Sequence, residues 1–191
     1  GSAKCFSCDK FFPNLEGGVK SVNNYRKETT QPPVQINAHG GMFAKLSDRN
    51  ISKETAEKYG VKCVFDATGK IAQHHYPYYI NGEHTANKIR YVNDKRFTIE
   101  GTIQQTGLFG QQLFKEGGKY LTIVEGECDA MAAYELLGSK WAVVSIKRGA
   151  QSAVKDIKES IEYVESFDNI VICFDKDNQG IEAAKKVASI I

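Results

Sequence analysis

The spacing of apolar residues changes twice along this chain. From 16 to 37 large apolar side chains are sparse. Cys5 and Cys8 form a single C-x-x-C knuckle, and 16–37 is polar, with Gly17-Gly18, Asn23-Asn24 and Pro32-Pro33. That composition predicts a linker. Ser52-Lys53-Glu54-Thr55 predicts a short helix, with Ser52 as N-cap and Gly60 as the stop. From 61 the pattern becomes strand-like: 61–65, a turn at 66–69, then 70–80. Asn81-Gly82 is a hairpin turn signal. The returning strand, 87–92, sets Lys88 and Arg90 on one face and Ile89 and Tyr91 on the other.

The second change comes near 121. Short continuous apolar runs at 121–124, 142–146 and 170–174 alternate with helical spacing. The helices are expected at 129–137, over Ala153, Ile157, Ile161 and Val164, and at 180–191 with the stripe Ile181, Ala184, Val187 and Ala188. Such alternation predicts a parallel sheet with helices on both faces. The fold class is therefore α/β, an α+β N-terminal part followed by a parallel α/β part. The expected divisions are 1–12, 13–40 (linker), 41–120 and 121–191.

Ligands of open parallel sheets collect at the carboxyl ends of the strands. Here those exits read Glu125-Gly126-Glu127-Cys128-Asp129, then Lys147-Arg148-Gly149, then Asp175-Lys176-Asp177. If each exit stays extended, Glu125 with Glu127, and Asp175 with Asp177, project to common sides. Carboxylates crowded at one sheet edge repel each other unless one binds a proton or a cation. A hard divalent ion such as Mg²⁺ resolves the conflict, because it needs only one or two carboxylates beside phosphate and water. Gly126 and Gly180 permit close backbone approach beside the site. Taken singly, an acid after a strand is a common helix cap, Asp129 above all. It is the combination of exits that points to a metal.

Charge narrows this only locally. Lys and Arg total 25 against 23 Asp and Glu, a net charge of +2, so bulk basicity gives no argument for nucleic acid. No apolar run reaches the ~20 residues of a membrane span. Five cysteines, three of them (Cys63, Cys128, Cys173) in apolar contexts, fit a reducing cytoplasm.

The runs "IVEGECDAMAAYELLG", "VVSIKRGAQSA" and "IVICFDKDNQG" resemble the Toprim domain shared by primases, topoisomerases and some nucleases. "SDRNISKETAEKYGV", "NKIRYVNDKRFTIEG" and "GLFGQQLF" resemble the primase half of the bifunctional primase–helicases of short-tailed phages, a family related to Twinkle. The opening "KCFSCDK" is similar to the second half of that family's zinc-binding module. The resemblance implies a DNA primase making short RNA primers on single-stranded DNA from ribonucleoside triphosphates. It implies Glu125, Asp175 and Asp177 as ligands of Mg²⁺ or Mn²⁺, with Glu127 and Asp129 in the same acidic motif. It implies Lys88, Arg90, Lys95 and Arg96 as nucleotide- or DNA-binding residues, to which the basic exit adds Lys147 and Arg148. Implied partners are a helicase domain and a replicative DNA polymerase in the cytoplasm of an infected bacterium, with no membrane. This piece is expected to be monomeric.

Two departures qualify the expectation. A zinc ribbon needs four ligands, and Cys5 and Cys8 supply two. His39, His74, His75 and His84 are scattered, so the half site is expected to be empty and Zn²⁺ to belong only to an intact module. The Toprim part is expected to be shortened at its C-terminus, and no G-x-x-x-x-G-K-[ST] phosphate loop is present. The alternatives are a nuclease or topoisomerase using the same acids, and a scaffold without catalysis.

Overall fold

The computed structural model describes residues 41–191, preceded only by two short strands, β1 (Ala3–Lys4) and β2 (Phe11–Phe12). These two pair antiparallel within a unit spanning Gly1–Pro33. The knuckle Cys5/Cys8, the linker and His39 lie outside the described residues. Everything below concerns the second unit, Val34–Ile191.

Helix α1 (Lys53–Lys58) starts where its cap dictates. The Ser52 hydroxyl accepts the Thr55 N–H at 3.2 Å, and Gly60 turns the chain with φ +74°. Four antiparallel strands follow in the order β3 (Lys62–Phe65), β4 (Ile71–Ile80), β5 (Glu83–Tyr91) and β6 (Phe97–Gly101). Asn81 and Gly82, with φ of 50° and 82°, make the tight turn between β4 and β5. A bulge at Tyr78/Tyr79 lets β4 bend.

The parallel sheet has the order β8–β7–β9, from β7 (Leu121–Val124), β8 (Ala142–Ser145) and β9 (Ile170–Cys173). The central strand β7 and its neighbour β8 are buried along their whole length. Edge strand β9 is covered on one face only, leaving Val171 and Cys173 exposed. The expectation that Cys173 packs as a small hydrophobe is thereby corrected, because its register puts it on the open face of an edge strand. Helix α2 (Glu127–Leu136) covers one face of the sheet. Helices α3 (Ala153–Glu159), α4 (Ile161–Glu165) and α5 (Asn178–Ala188) cover the other.

Two cores result. One gathers Leu46, Tyr59, Tyr76, Tyr78 and Phe109 with Val124, Met131, Tyr134 and Val143, so it runs from the antiparallel sheet across α2 onto the parallel sheet. Tyr59 anchors this junction. Its ring stacks on Phe109 at 5.5 Å, and its hydroxyl donates to the Val143 carbonyl at 2.9 Å. Gly110 must be glycine here, since φ is +83° and a Cβ would meet the Tyr59 ring at 2.7 Å. The second core lies under α3–α5 and holds Leu121, Ile123, Val144, Ile157, Val164 and Val187.

Three local expectations differ from the fold. The helix expected through 153–164 breaks at Ser160, whose N–H bonds the Ile157 carbonyl three residues back, although Ile157 and Val164 keep their buried spacing. Of the expected stripe in α5 only Val187 is buried; Gly180 and Ala183 are buried with it, and Ile181 is exposed. A Cβ at Gly180 would overlap the Asp175 carbonyl, so close approach of the helix to the β9 exit selects the small residues. Finally, α2 begins at Glu127 directly after Gly126, which removes the extended exit assumed for Glu125 and Glu127.

Candidate active site at the strand exits

In the parallel register Val124 lies opposite Cys173 on one side and Ser145 on the other, so Glu125, the Lys147-Arg148 pair and Asp175 leave the sheet at one end. Glu125 Oε1 accepts the Ala150 N–H at 3.3 Å from the neighbouring exit. Its Oε2 is buried and has no hydrogen-bond partner. An orphaned carboxylate oxygen is costly to bury, and this one marks where a positive ligand is wanted.

Asp129, in the first turn of α2, reaches back to the Gly126 N–H, the reciprocal half of a capping box. Protein crowding around its carboxyl, and then the nearby Asp175 charge, push its pKa up, while Arg49 acts in the opposite sense. Asp175 and Asp129 therefore stand near one another across two exits. Asp177 is the N-cap of α5, where its Oδ1 accepts the Gly180 N–H at 2.7 Å. That leaves its Oδ2 free of the cap.

Glu127 does something else. Helix geometry turns it away from Glu125 into the protein, where it is buried and accepts the Tyr78 hydroxyl at 2.6 Å and the Lys88 ammonium at 2.8 Å. Lys88 also donates to the Lys147 carbonyl at 3.0 Å. Lys88 thus ties β5 to the exits of β7 and β8. The solvated basic face weighed for Lys88 and Arg90 is absent: Arg90 is buried, and Lys88 keeps only 15 % of its side chain exposed. Burial, and then the Glu127 charge, raise the Tyr78 phenol well above its usual value, so it stays a donor.

Lys147 is fully enclosed. Its ammonium donates to Glu159 at 2.7 Å and the Thr106 carbonyl at 2.8 Å, and its N–H to Asp156 at 2.8 Å. Arg148 forks onto the buried Asp156 at 3.2 and 2.5 Å. These cations hold the β8 exit against α3, which leaves Lys147 no reach toward a phosphate. Lys95 and Arg96 are exposed at the tight turn before β6.

Residue types alone did not single out Arg49, Tyr78, Asp156 and Glu159. The contacts of Tyr78, Asp156 and Glu159 reach across 8 to 49 positions, and Arg49 acts on Asp129 from still farther along the chain. A further chain runs inward from the exposed Asp48 to the buried His74 at 3.0 Å, from His74 to Tyr76 at 3.0 Å, and from Tyr76 to the Cys128 sulfur at 3.1 Å in the first turn of α2.

Among the described residues no three His, Cys, Asp or Glu side chains stand close enough to enclose a metal ion by themselves. The donor set still fits Mg²⁺, which binds through one or two carboxylates and completes its shell with water and phosphate. Glu125, with its unpartnered Oε2, and Asp175 leave neighbouring strands at the same end of the sheet and are two carboxylates that could serve as that minimum. No helix among the described residues is long and apolar enough to cross a membrane.

The fold is similar to that of known proteins. A Toprim-like family model matches residues 122–191, the parallel-sheet half. The DNA helicase/primase of Enterobacteria phage T3 is 30% identical over 198 residues, an alignment covering all of this chain and 34% of that protein. The chain thus spans about a third of that relative's length. The crystal structure of the primase fragment of the bacteriophage T7 primase–helicase superposes with a TM-score of 0.74 at 28% identity, over 100% of this chain and 77% of that one. A structure of bacteriophage T7 lagging-strand DNA polymerase interacting with primase domains bound to an RNA/DNA hybrid and dTTP matches with a TM-score of 0.70. There the identity is 33%, over 79% of this chain and 76% of that one. With its Toprim half, its antiparallel half and their order all matched, the chain belongs to the Toprim-fold DNA primases, as a primase domain of the phage primase–helicase family.

Proposed function

We propose that this chain is the catalytic core of a primase that joins ribonucleotides into short primers on a single-stranded DNA template. The observation that carries the reading is the buried, unpartnered Glu125 Oε2 at the exit of the central parallel strand, one register step from the exit bearing Asp175. Glu125, Asp175 and the free oxygen of Asp177 would hold Mg²⁺ or Mn²⁺. Such a cation, when bound, lowers the pKa of the attacking hydroxyl and offsets charge on the phosphate undergoing transfer.

The remaining residues prepare this place. Glu127 draws Lys88 to the edge of the acidic exits, where an ammonium offsets phosphate charge. The Asp129 carboxyl, whose pKa burial and the Asp175 charge push up, would be returned toward its charged form by a nearby cation. Asp156 and Glu159 fix Lys147 and Arg148, and so fix the loop whose Ala150 N–H orients Glu125. In the intact protein, a helicase domain and a replicative polymerase would act beside this core in the bacterial cytoplasm, with zinc confined to a complete four-ligand module.

The test is incubation of the chain with single-stranded template, Mg²⁺ and labelled ribonucleoside triphosphates. Short oligoribonucleotides that disappear in Asp175→Asn support the reading. Template degradation would assign the same acids to a nuclease. A chain inert to both, with an equally inert version carrying the whole zinc module, would leave the fold as a scaffold.

A further inference from the structure

Two acceptors hold the enclosed Lys147 ammonium, the Thr106 carbonyl at 2.8 Å and the Glu159 carboxylate at 2.7 Å. Both residues also line an open trough. It lies between the β4–β5 turn at Asn81-Gly82, the loop after β6, and the break between α3 and α4 at Ser160. The trough holds about 470 Å³ and continues past Tyr163 into a hollow of about 330 Å³. Neither is lined by Glu125, Asp175 or Asp177.

The lining selects a ligand chemistry. The side-chain amides of Asn81, Gln105 and Gln112 are exposed and make no hydrogen bond among the described residues. Gln111 gives its carbonyl oxygen to the Leu108 N–H at 2.9 Å and keeps its amide nitrogen. A carboxamide sets a donor beside an acceptor, the pair that matches the edge of a nucleobase. Tyr79, Leu108 and Phe114 add apolar wall for a flat ring. Tyr163 is 4% exposed, and its hydroxyl is buried without a partner. Burial, and then the Glu116 charge, hold that phenol protonated, so what it lacks is an acceptor such as a carbonyl or ring nitrogen. Charge argues against a phosphate-rich ligand. Lys115 and Glu116 stand at the rim with opposite signs, and Glu159 is already answered by Lys147 and Arg148. Among the described residues no group of cations is gathered here, as a triphosphate would require.

We propose that this trough is an effector site for an uncharged nucleoside, separate from the strand exits, and that its occupancy is felt at those exits through Lys147. The path is short. A ligand packed against Thr106 and Glu159 steadies the two acceptors of Lys147. Lys147 and Arg148 donate their N–H groups to Asp156, and Ala150 just beyond donates its own to Glu125. Binding in the trough is independent of the primase reading; only the response at Glu125 rests on it.

The experiment is NMR titration of the chain with adenosine, guanosine, cytidine and uridine in EDTA. Mn²⁺ titration read by electron paramagnetic resonance follows, with and without the nucleoside that binds best. At least one nucleoside is expected to bind with Kd near or below about 1 mM. Gln105→Ala with Gln112→Ala, both at exposed side chains, should weaken it about tenfold or more at unchanged Tm. Saturating nucleoside should tighten Mn²⁺ binding about fivefold, and Mn²⁺ should tighten nucleoside binding by the same factor. No binding of any of the four up to about 10 mM, or equal binding in the double variant, would overturn the pocket. A nucleoside that binds while the Mn²⁺ isotherm stays in place would overturn the effector role. Absence of Mn²⁺ binding in the parent chain would instead count against the metal reading, and the titrations in EDTA would still decide the pocket.

Discussion

Replacing Glu127 by alanine should unfold this protein far more readily than replacing any acid at the open site. The Glu127 carboxylate is buried and accepts from Tyr78 at 2.6 Å and Lys88 at 2.8 Å. Its removal strands a buried phenol without an acceptor and leaves an almost enclosed ammonium with the Lys147 carbonyl alone. Breaking a buried ion pair costs roughly 3–5 kcal/mol. Lys88 retains one acceptor and a small outlet to water, so we take the lower end, about 3 kcal/mol. For a chain of this size each kcal/mol moves Tm by roughly 2–4 °C, which gives a fall of about 6–12 °C.

The double variant Glu127→Ala/Lys88→Met removes both charges and should lose less than the two single losses added together, with a coupling of about 1–3 kcal/mol. Urea denaturation of the four proteins, at equal slopes, measures this. A Glu127→Ala loss below about 0.5 kcal/mol, or additivity within that margin, would refute the assignment of Glu127 as the post holding Lys88.

Other outcomes follow from single residues. Asp177→Ser should keep the α5 cap and lose primer synthesis, whereas Asp177→Ala should in addition lose about 1 kcal/mol of stability; equal stabilities would deny the cap. Gly180→Ala should destabilise by about 1–3 kcal/mol, since a Cβ there overlaps the Asp175 carbonyl, and thermal melts read this directly. Burial holds the His74 pKa below its ordinary value. The unfolded chain therefore takes up that proton more readily, so this stability is complete above about pH 6.5 and is lost as pH falls toward the folded pKa. His74→Gln should flatten the decline, and an unchanged pH profile of stability would contradict it. The Asp129 pKa is raised, so its charged form costs stability at neutral pH and its protonated form does not. Asp129→Asn should raise Tm at pH 7 in EDTA and give no gain below about pH 4.

Much of this was legible in the residues because local signals and tertiary needs agree. Ser52, Gly60 and Asn81-Gly82 cap and turn the chain where their chemistry requires. The apolar runs became the three parallel strands, and the acidic exits fell at one end of the sheet. What failed was decided by contacts far away in sequence. Glu127 reads as another site acid, yet starting α2 one residue after Gly126 turns it onto Tyr78 and Lys88. Lys147 reads as a phosphate ligand, yet Glu159 and the Thr106 carbonyl enclose it. Ile181 reads as core, yet the close approach of Gly180 to the β9 exit selects Ala183 and Val187 for burial. Cys173 reads as buried because a parallel strand usually is, and β9 has only one covered face.

The most direct measurement is Mn²⁺ binding followed by electron paramagnetic resonance, with a ribonucleoside triphosphate present, for the parent chain, Glu125→Gln and Asp175→Asn. Each substitution preserves shape and deletes one charge at the strand exits. The account predicts that both variants keep their circular dichroism spectra and lose at least about tenfold in Mn²⁺ affinity, worth about 1.4 kcal/mol. Isotherms that superimpose on the parent's would contradict it, because the carboxylates leaving β7 and β9 would then not be what holds the cation.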